Sequence, residues 1–227
     1  KTRFHSSGQL EAIKIFISER VDLNVTNNNY PKSRPIHFVC SNDNNLNSSD
    51  QLEAIKLLVD HGVDLEAMDL NLWRPIHYVS SSANNLTRRD QVDAIKYIVQ
   101  KGVDLNVVND DGMGPIHFVC GYDHNIGDSC MQHNTICLLV EAGADLELMD
   151  MNSMRPIHYV LEHSVMNYKR LKKIVQLFLN NHIDTNVCSI QGDTLIDCLR
   201  KNNILERNEK KRIAKYFDMT YENSDDD

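Results

Sequence analysis

One phrase returns four times along the chain: "KSRPIHFV" at 32–39, "NLWRPIHYV" at 71–79, "GMGPIHFV" at 112–119 and "NSMRPIHYV" at 152–160. Its prolines, Pro35, Pro75, Pro115 and Pro156, are 40, 40 and 41 residues apart. A fixed period of that size is the signature of a repeat architecture, in which each unit buries its apolar face against its neighbours. Residues that recur in every unit are then candidates for architecture first, because a single catalytic site needs to be built only once.

Each unit has the same internal order. Pro35, Pro75, Pro115 and Pro156 suit a first helical position, where a fixed φ helps and the missing N–H would be unpaired anyway. A Ser/Asn-rich stretch follows. Next come the periodic segments "DQLEAIKLLVDHG" (50–62) and "DQVDAIKYIVQKG" (90–102), where Leu52, Ile55, Leu58 and Val59 fall on one helical face. Asp50 with Glu53, and Asp90 with Asp93, are predicted as N-cap and third-position acids. Gly62, Gly102 and Gly143 stop the helix where a left-handed residue is wanted. A short extended segment such as "VDLEAMD" then turns into the next Pro-Ile-His.

On these residues the sequence resembles the ankyrin repeat. The family's Thr-Pro-Leu-His aligns with Pro35-Ile36-His37, Pro75-Ile76-His77, Pro115-Ile116-His117 and Pro156-Ile157-His158. Its Gly-Ala-Asp-Val-Asn turn aligns with Gly102–Asn106 and Gly143–Glu147. HEAT and armadillo repeats have a similar period but lack the glycine and extended finger. The resemblance implies an all-α repeat fold: an ankyrin-type solenoid of helix-loop-helix units joined by β-hairpin-like fingers. The expected array spans 1–227. It comprises a half repeat at 9–33, repeats at 34–73, 74–113, 114–154 and 155–193, a C-terminal capping repeat at 194–217, and a disordered acidic tail at 218–227. The opening half repeat carries Ile13, Phe16 and Ile17 toward an uncovered edge, so either the chain is a piece of a longer protein or residues 1–8 cap it.

Three departures from the family stand out. Arg34, Arg74, Gly114 and Arg155 replace its Thr, which would cap the helix and bond the His. The arginines are expected to pair with finger carboxylates such as Asp69, Asp110 or Asp150, an anion-binding ladder being the rival reading. About seven extra residues separate the two helices. They are patterned: Leu46, Leu86 and Ile126 each lie nine past their repeat's histidine, which predicts ordered inserts. Lastly, "PIHFVC" alternates with "RPIHYV", and "MDLN" or "MDMN" precedes only the latter.

Little chemistry is on offer. His37, His77, His117 and His158 have no nucleophile or carboxylate at a fixed spacing, and the resemblance gives them a structural role, holding finger to helix. His124, Cys130, His133 and Cys137 are zinc-type ligands, but their spacing fits no common site, so no metal is expected. No phosphate loop, dinucleotide fingerprint or nucleophile elbow occurs, and neither an enzyme nor a cofactor is predicted. A net charge of -8 with interspersed charges argues against nucleic acid. No apolar run approaches the roughly 20 residues of a membrane span. Six cysteines inside apolar patterns suggest reduced thiols, hence a cytoplasmic or at least intracellular setting with the nucleus not excluded.

What remains is surface. The strip formed by finger tips and first helices is expected to carry Tyr30, Leu70, Trp73, Met113, Tyr122, Met151, Met154 and His163. Aromatic and Met side chains are what protein interfaces favour, the alternative being that they pack on the neighbouring finger. The expected function is a monomeric, non-enzymatic module that binds another protein through this concave surface. The alternative is a scaffold or targeting segment of a larger signalling protein or enzyme whose activity lies elsewhere.

Overall fold

The computed structural model describes residues 6–27, 32–121 and 129–217. It divides into two units, 1–110 and 111–227. Unit 1 holds α1 (Ser6–Ser18), α2 (Pro35–Cys40), α3 (Ser48–Asp60), α4 (Pro75–Ser80) and α5 (Arg88–Val99). Unit 2 holds α6 (Pro115–Cys120), α7 (Ser129–Glu141), α8 (Pro156–His163), α9 (Tyr168–Asn180), α10 (Leu195–Lys201) and α11 (Arg207–Ala214), the last followed by a 3₁₀ turn at Lys215–Phe217. Each phrase Pro-Ile-His opens a short first helix, as its proline predicts.

The packing follows the repeat. In unit 1, α2 packs on α4, α3 packs on both α1 and α5, and each complete repeat closes by its first helix meeting its second. Unit 2 pairs α6 with α8, α8 with α10 and α7 with α9 in the same way. Equivalent side chains fill the core: Ile36, Val39, Ala54, Ile55 and Leu58 in one repeat, Ile76, Val79, Ala94, Ile95 and Ile98 in the next. Burying one such Ile or Leu removes about 1.5–3 kcal/mol of apolar exposure, and every repeat contributes several.

The second helices begin three residues earlier than the acids imply. Asn47, Thr87 and Asn167 are the N-caps, accepting from the N–H of Asp50, Asp90 and Arg170. Asp50 and Asp90 take the third helical position, in the first turn, and the Asp50 carboxylate receives the Asn47 side-chain amide at 2.9 Å. The helix-ending glycines do adopt φ of +78°, +80° and +94° at Gly62, Gly102 and Gly143. In the outermost repeats the same left-handed position is filled by Arg20 (φ +54°) and His182 (φ +59°).

The inserts are ordered where they are described, and side-chain amides do the ordering. Asn44 donates to the carbonyls of Phe38 and Ser41 while its own oxygen accepts from Leu46 N–H. Asn84 repeats the pattern on Tyr78, Ser81 and Leu86. Leu46 is buried and Leu86 half-buried. Behind each loop lies a buried glutamine. Gln51 donates to Val39 and Ser41 carbonyls, capping α2, and accepts from Asn85 N–H of the next insert. Gln91 and Gln132 cap α4 and α6 likewise. In α9 the equivalent residue is Leu171, and Asn202 takes over, bonding the Leu161 and Ser164 carbonyls. Ile126, the third member of the expected ladder, and the tail 218–227 lie outside the described residues.

Candidate functional site

The fingers between second and first helices present the most exposed apolar surface. Those before α4, α8 and α10 are tight turns closed by two backbone bonds. Asp69 N–H donates to Trp73 C=O and Leu72 N–H to Asp69 C=O; Asp150, Met154 and Ser153 repeat this in unit 2. Among the described residues the pairing never extends into a strand; the one ladder-type contact is the Cys188–Thr194 bridge. The fingers are hairpin-like, too short to be hairpins. Successive fingers are linked by Asp110 N–H to Asn71 C=O within unit 1, and by Met151 N–H to Asp111 C=O and Ile190 N–H to Asn152 C=O within unit 2.

Histidine ties each finger to its helix. The N–H of Arg34, Arg74, Gly114 and Arg155 donates to Nδ1 of His37, His77, His117 and His158, at 2.9–3.0 Å. This places the proton on Nε2, which donates to the carbonyls of Ala67, Val107 and Leu148 for the first three. His158 Nε2 faces Val187 but falls short of hydrogen-bond geometry. The ring thus does the helix-capping work that the missing Thr leaves open. Burial pushes all four imidazoles down, His77 to about 4, against the opposing pull of the carbonyl. In His37, His77 and His117 both ring nitrogens are thus committed to backbone, which leaves neither free to serve a substrate.

A second clamp explains the two-repeat rhythm. Asp69 Oδ1 accepts from the N–H of Asn71 and Trp73, both at 2.9 Å, and its Oδ2 accepts from Tyr78 O–H at 2.7 Å. Asp150 does the same with Asn152, Met154 and Tyr159, the last at 2.6 Å. Burial and then the adjacent carboxylate push both tyrosines far above their ordinary pKa. Where the sequence reads Phe38 and Phe118, the matching finger residue is Asn29 or Asn109, an amide with no charge to satisfy.

The arginines therefore do not pair with Asp69, Asp110 or Asp150. Asp69 and Asp150 are consumed by finger amides, and the guanidinium groups reach other carboxylates. Arg34 pairs with Asp64 (2.7 Å), Arg74 with Glu66 (2.5 Å), and Arg155 with Glu147 (3.2 Å) and Asp184 (3.7 Å). Glu66 and Glu147 also accept the N–H of Asp104 and Asp184 one repeat on. With carboxylates already on them, these arginines form no anion ladder.

The clamps bury alternate finger residues and turn the others outward. In unit 1, Met68, Leu70 and Leu72 are exposed around buried Asp69; in unit 2, Met149 and Met151 flank buried Asp150, and Ile190 is exposed farther on. Leu70 and Met151, expected from the sequence, are 46% and 69% exposed. Trp73 is half-buried, its ring 4.9 Å from Tyr78 and 6.1 Å from His77. Met113, Met154 and His163 are half-buried, and His163 lies 5.9 Å from the Tyr159 ring. Unit 1 brings Leu70 and Trp73 onto one finger; unit 2 sets the Met113 and Met151 fingers side by side, Gly112 lying against the Asp150–Met151 backbone. Tyr30, Tyr122 and His124 lie outside the described residues. Met68, Leu72, Met149 and Ile190 escaped the sequence reading, although the alternation Met-Asp-Leu or Met-Asp-Met carries the signal.

Elsewhere, Cys130 faces the Asn134 amide at 3.8 Å and Cys137 Sγ is 4.0 Å from His133 Nδ1 along α7. No group of three or more metal-ligating side chains occurs among the described residues. All six cysteines are free thiols. No described helix is long and apolar enough to cross a membrane. Of the edge expected at Ile13, Phe16 and Ile17, Ile13 and Phe16 line an apolar groove of about 420 Å³ with Val25, Pro35, Phe38 and Leu46, and Phe16 is 51% exposed.

Residues 4–109 match the family model of ankyrin repeats, in three copies. That stretch is built of ankyrin repeats. No curated protein matches the sequence. Ankyrin repeats are generally protein–protein interaction modules and typically non-enzymatic. The match falls within unit 1, and the Pro-Ile-His units of unit 2 continue the ankyrin pattern in sequence and in their His, Asp and Gln bonding.

Proposed function

We propose that this protein is a non-enzymatic binding module that grips a partner protein along its finger edge. The observation that carries the reading is that each unit by itself exposes apolar residues on fingers locked from behind, Met68, Leu70 and Leu72 in unit 1 and Met149 and Met151 in unit 2. Trp73, Met113, Met154 and His163 flank that edge as half-buried supports. Side chains held in place before binding lose little entropy when they dock, so an edge of this kind binds better than a mobile loop of the same composition. Leu70→Asp and Trp73→Ala are each expected to weaken a captured partner at least about tenfold, whereas Lys96→Ala, on an exposed helical face, changes it less than about twofold. Equal binding by all three variants contradicts the assignment.

A second reading keeps the same module as a scaffold or targeting segment of a larger signalling protein or enzyme. The groove beside α1 favours it, offering Ile13, Phe16 and Phe38 as an apolar seat for a further helix.

A further inference from the structure

The opening stretch of unit 1 repeats half of the unit that follows it. "QLEAIK" at 9–14 returns at 51–56, and "VDLN" at 21–24 is matched by "VDLE" at 63–66, both at a spacing of 42 residues. Gln9 therefore corresponds to Gln51, Ile13 to Ile55, Phe16 to Leu58, Asp22 to Asp64 and Val25 to Ala67. Both halves meet the next repeat in the same way. Gln9 Oε1 accepts the Asn45 N–H at 3.1 Å as Gln51 Oε1 accepts that of Asn85 at 3.0 Å. Asn24 Oδ1 takes the Asp64 N–H as Glu66 Oε1 takes that of Asp104. What differs is the cover. Ile55 and Leu58 are buried, with α2 packed on α3, whereas Ile13 is half-buried and Phe16 exposed, lining the groove of about 420 Å³ together with Pro35 and Phe38.

Three polar groups of the groove lack the same thing. In the complete repeat, α2 is held at three points. Gln51 Nε2 donates to the carbonyls of Val39 and Ser41 at its C-terminal end, at 2.7 and 2.8 Å. The Ala67 carbonyl accepts from His37 Nε2 at 2.9 Å, and Asp64 Oδ2 meets Arg34 at 2.7 Å. Gln9, Asp22 and Val25 line the groove at the corresponding places. Gln9 Oε1 and Asp22 Oδ1 are used as in the complete repeat, the latter by the Asn24 N–H at 2.8 Å. Gln9 Nε2, Asp22 Oδ2 and the Val25 carbonyl have no partner among the described residues. A donor, an anion and an acceptor, set around an apolar floor in a known order, specify both the chemistry and the direction of what fits there.

We propose that this groove is the docking seat for a short helix of the chain's own first-helix type, Arg-Pro-Ile-His followed by an aromatic residue and Val, presented by a partner protein. This rests on the groove being a seat for a further helix, and it fixes which helix and in which direction. The occupant lies with its C-terminal carbonyls on Gln9, its histidine on the Val25 carbonyl and its leading arginine on Asp22, while its Ile and Val cover Ile13 and Phe16. A second copy of this chain is a poorer occupant. Ile36, Ile76, Ile116 and Ile157, the isoleucines of its four Pro-Ile-His helices, are buried within their own units, so it has no such helix to lend. A purely apolar helix is poorer too, because it takes the Gln9 amide and the Asp22 carboxylate out of water without giving them a mate.

The test titrates the whole chain, under reducing conditions, with the synthetic peptide KSRPIHFVCSN, the sequence of residues 32–42, and follows the NMR signals of Gln9, Ile13 and Val25. These should shift and saturate, at about 1 mM because so short a helix has to order as it binds. Phe16→Asp, at an exposed position, should abolish the shifts. Gln9→Glu keeps the acceptor for Asn45 and loses the donor, and should weaken the peptide about tenfold. His37→Ala in the peptide should cost a similar factor with the protein unaltered. Arg34→Gln in the peptide should cost only about threefold, as an exposed ion pair does, and nothing further on Asp22→Asn protein. If the peptide with both Arg34→Gln and His37→Ala binds as well as the original, the assigned chemistry is overturned while a helix seat remains. If neither peptide shifts the groove signals, the seat falls with it. Binding that survives Phe16→Asp overturns the proposal by placing the peptide elsewhere. So does self-association of the unaltered protein that Phe16→Asp removes, since a second copy then fills the groove.

Discussion

The finger before α4 and the finger before α6 occupy the same place in the repeat and are built differently. The first puts a carboxylate, Asp69, under its turn, satisfied by two backbone amides and the Tyr78 hydroxyl. The second puts a buried amide, Asn109, at the same position, and its following helix carries Phe118 where the first has Tyr78. The turn residue differs too: Leu72 is forced to φ +59°, whereas Gly112 takes +76° freely. What the difference teaches is that the alternation of Phe and Tyr along the chain is a matched pair of solutions. A buried charge demands a third donor, and a neutral amide does not.

The largest break should come from removing the charge alone. Asp69→Ala strands the Asn71 and Trp73 N–H groups and the Tyr78 O–H, and is expected to cost about 3 kcal/mol in denaturant unfolding. Acid tests the neighbouring histidine. His77 is held down at about 4 by burial, below its ordinary 6.5, so the unfolded chain takes up a proton that the folded one refuses. Stability is level in this respect above pH 6.5 and falls as pH drops from 6.5 toward 4, by about 3 kcal/mol for this group alone. His77→Gln should flatten that part of the profile. Converting one finger type to the other is subtler. Asp69→Asn and Tyr78→Phe should each destabilise, but the double variant should recover about 1 kcal/mol relative to their sum. The smallest effect is at the turn: Leu72→Gly should stabilise by about 0.5–1 kcal/mol, relieving a left-handed leucine. Gly112→Leu should instead destabilise, because a Cβ there meets the Asp150 and Met151 backbone at 3.1 Å.

The repeat, its short proline-led helices, its glycine stops and the structural use of His37, His77, His117 and His158 were legible because each rests on local chemistry repeated at a fixed period. The partners of polar side chains were not. Arg74 meets Glu66 rather than Asp69, since which carboxylate is free depends on amides that converge only once the turn has formed. The N-caps slipped three residues because Asn47 and Asp50 satisfy the same rule from sequence, and only the start of the helix decides between them. Gln51, Gln91 and Gln132 were hidden inside a pattern read for its apolar residues, although a glutamine recurring on a buried face calls for a backbone partner. Leu70 and Met151 are legible as outward residues, whereas Met68 and Met149 are hidden in a segment that reads only as an extended link to the next Pro-Ile-His.

The account turns on fingers held rigid from beneath while their outer residues stay open. Hydrogen exchange of the Asn71 and Trp73 amides tests this most directly. Both should be protected in the native protein, and in Asp69→Ala both should exchange at nearly the rate of an open loop while the amides of α5 keep their protection. Fast exchange of these two amides in the unaltered protein would contradict it.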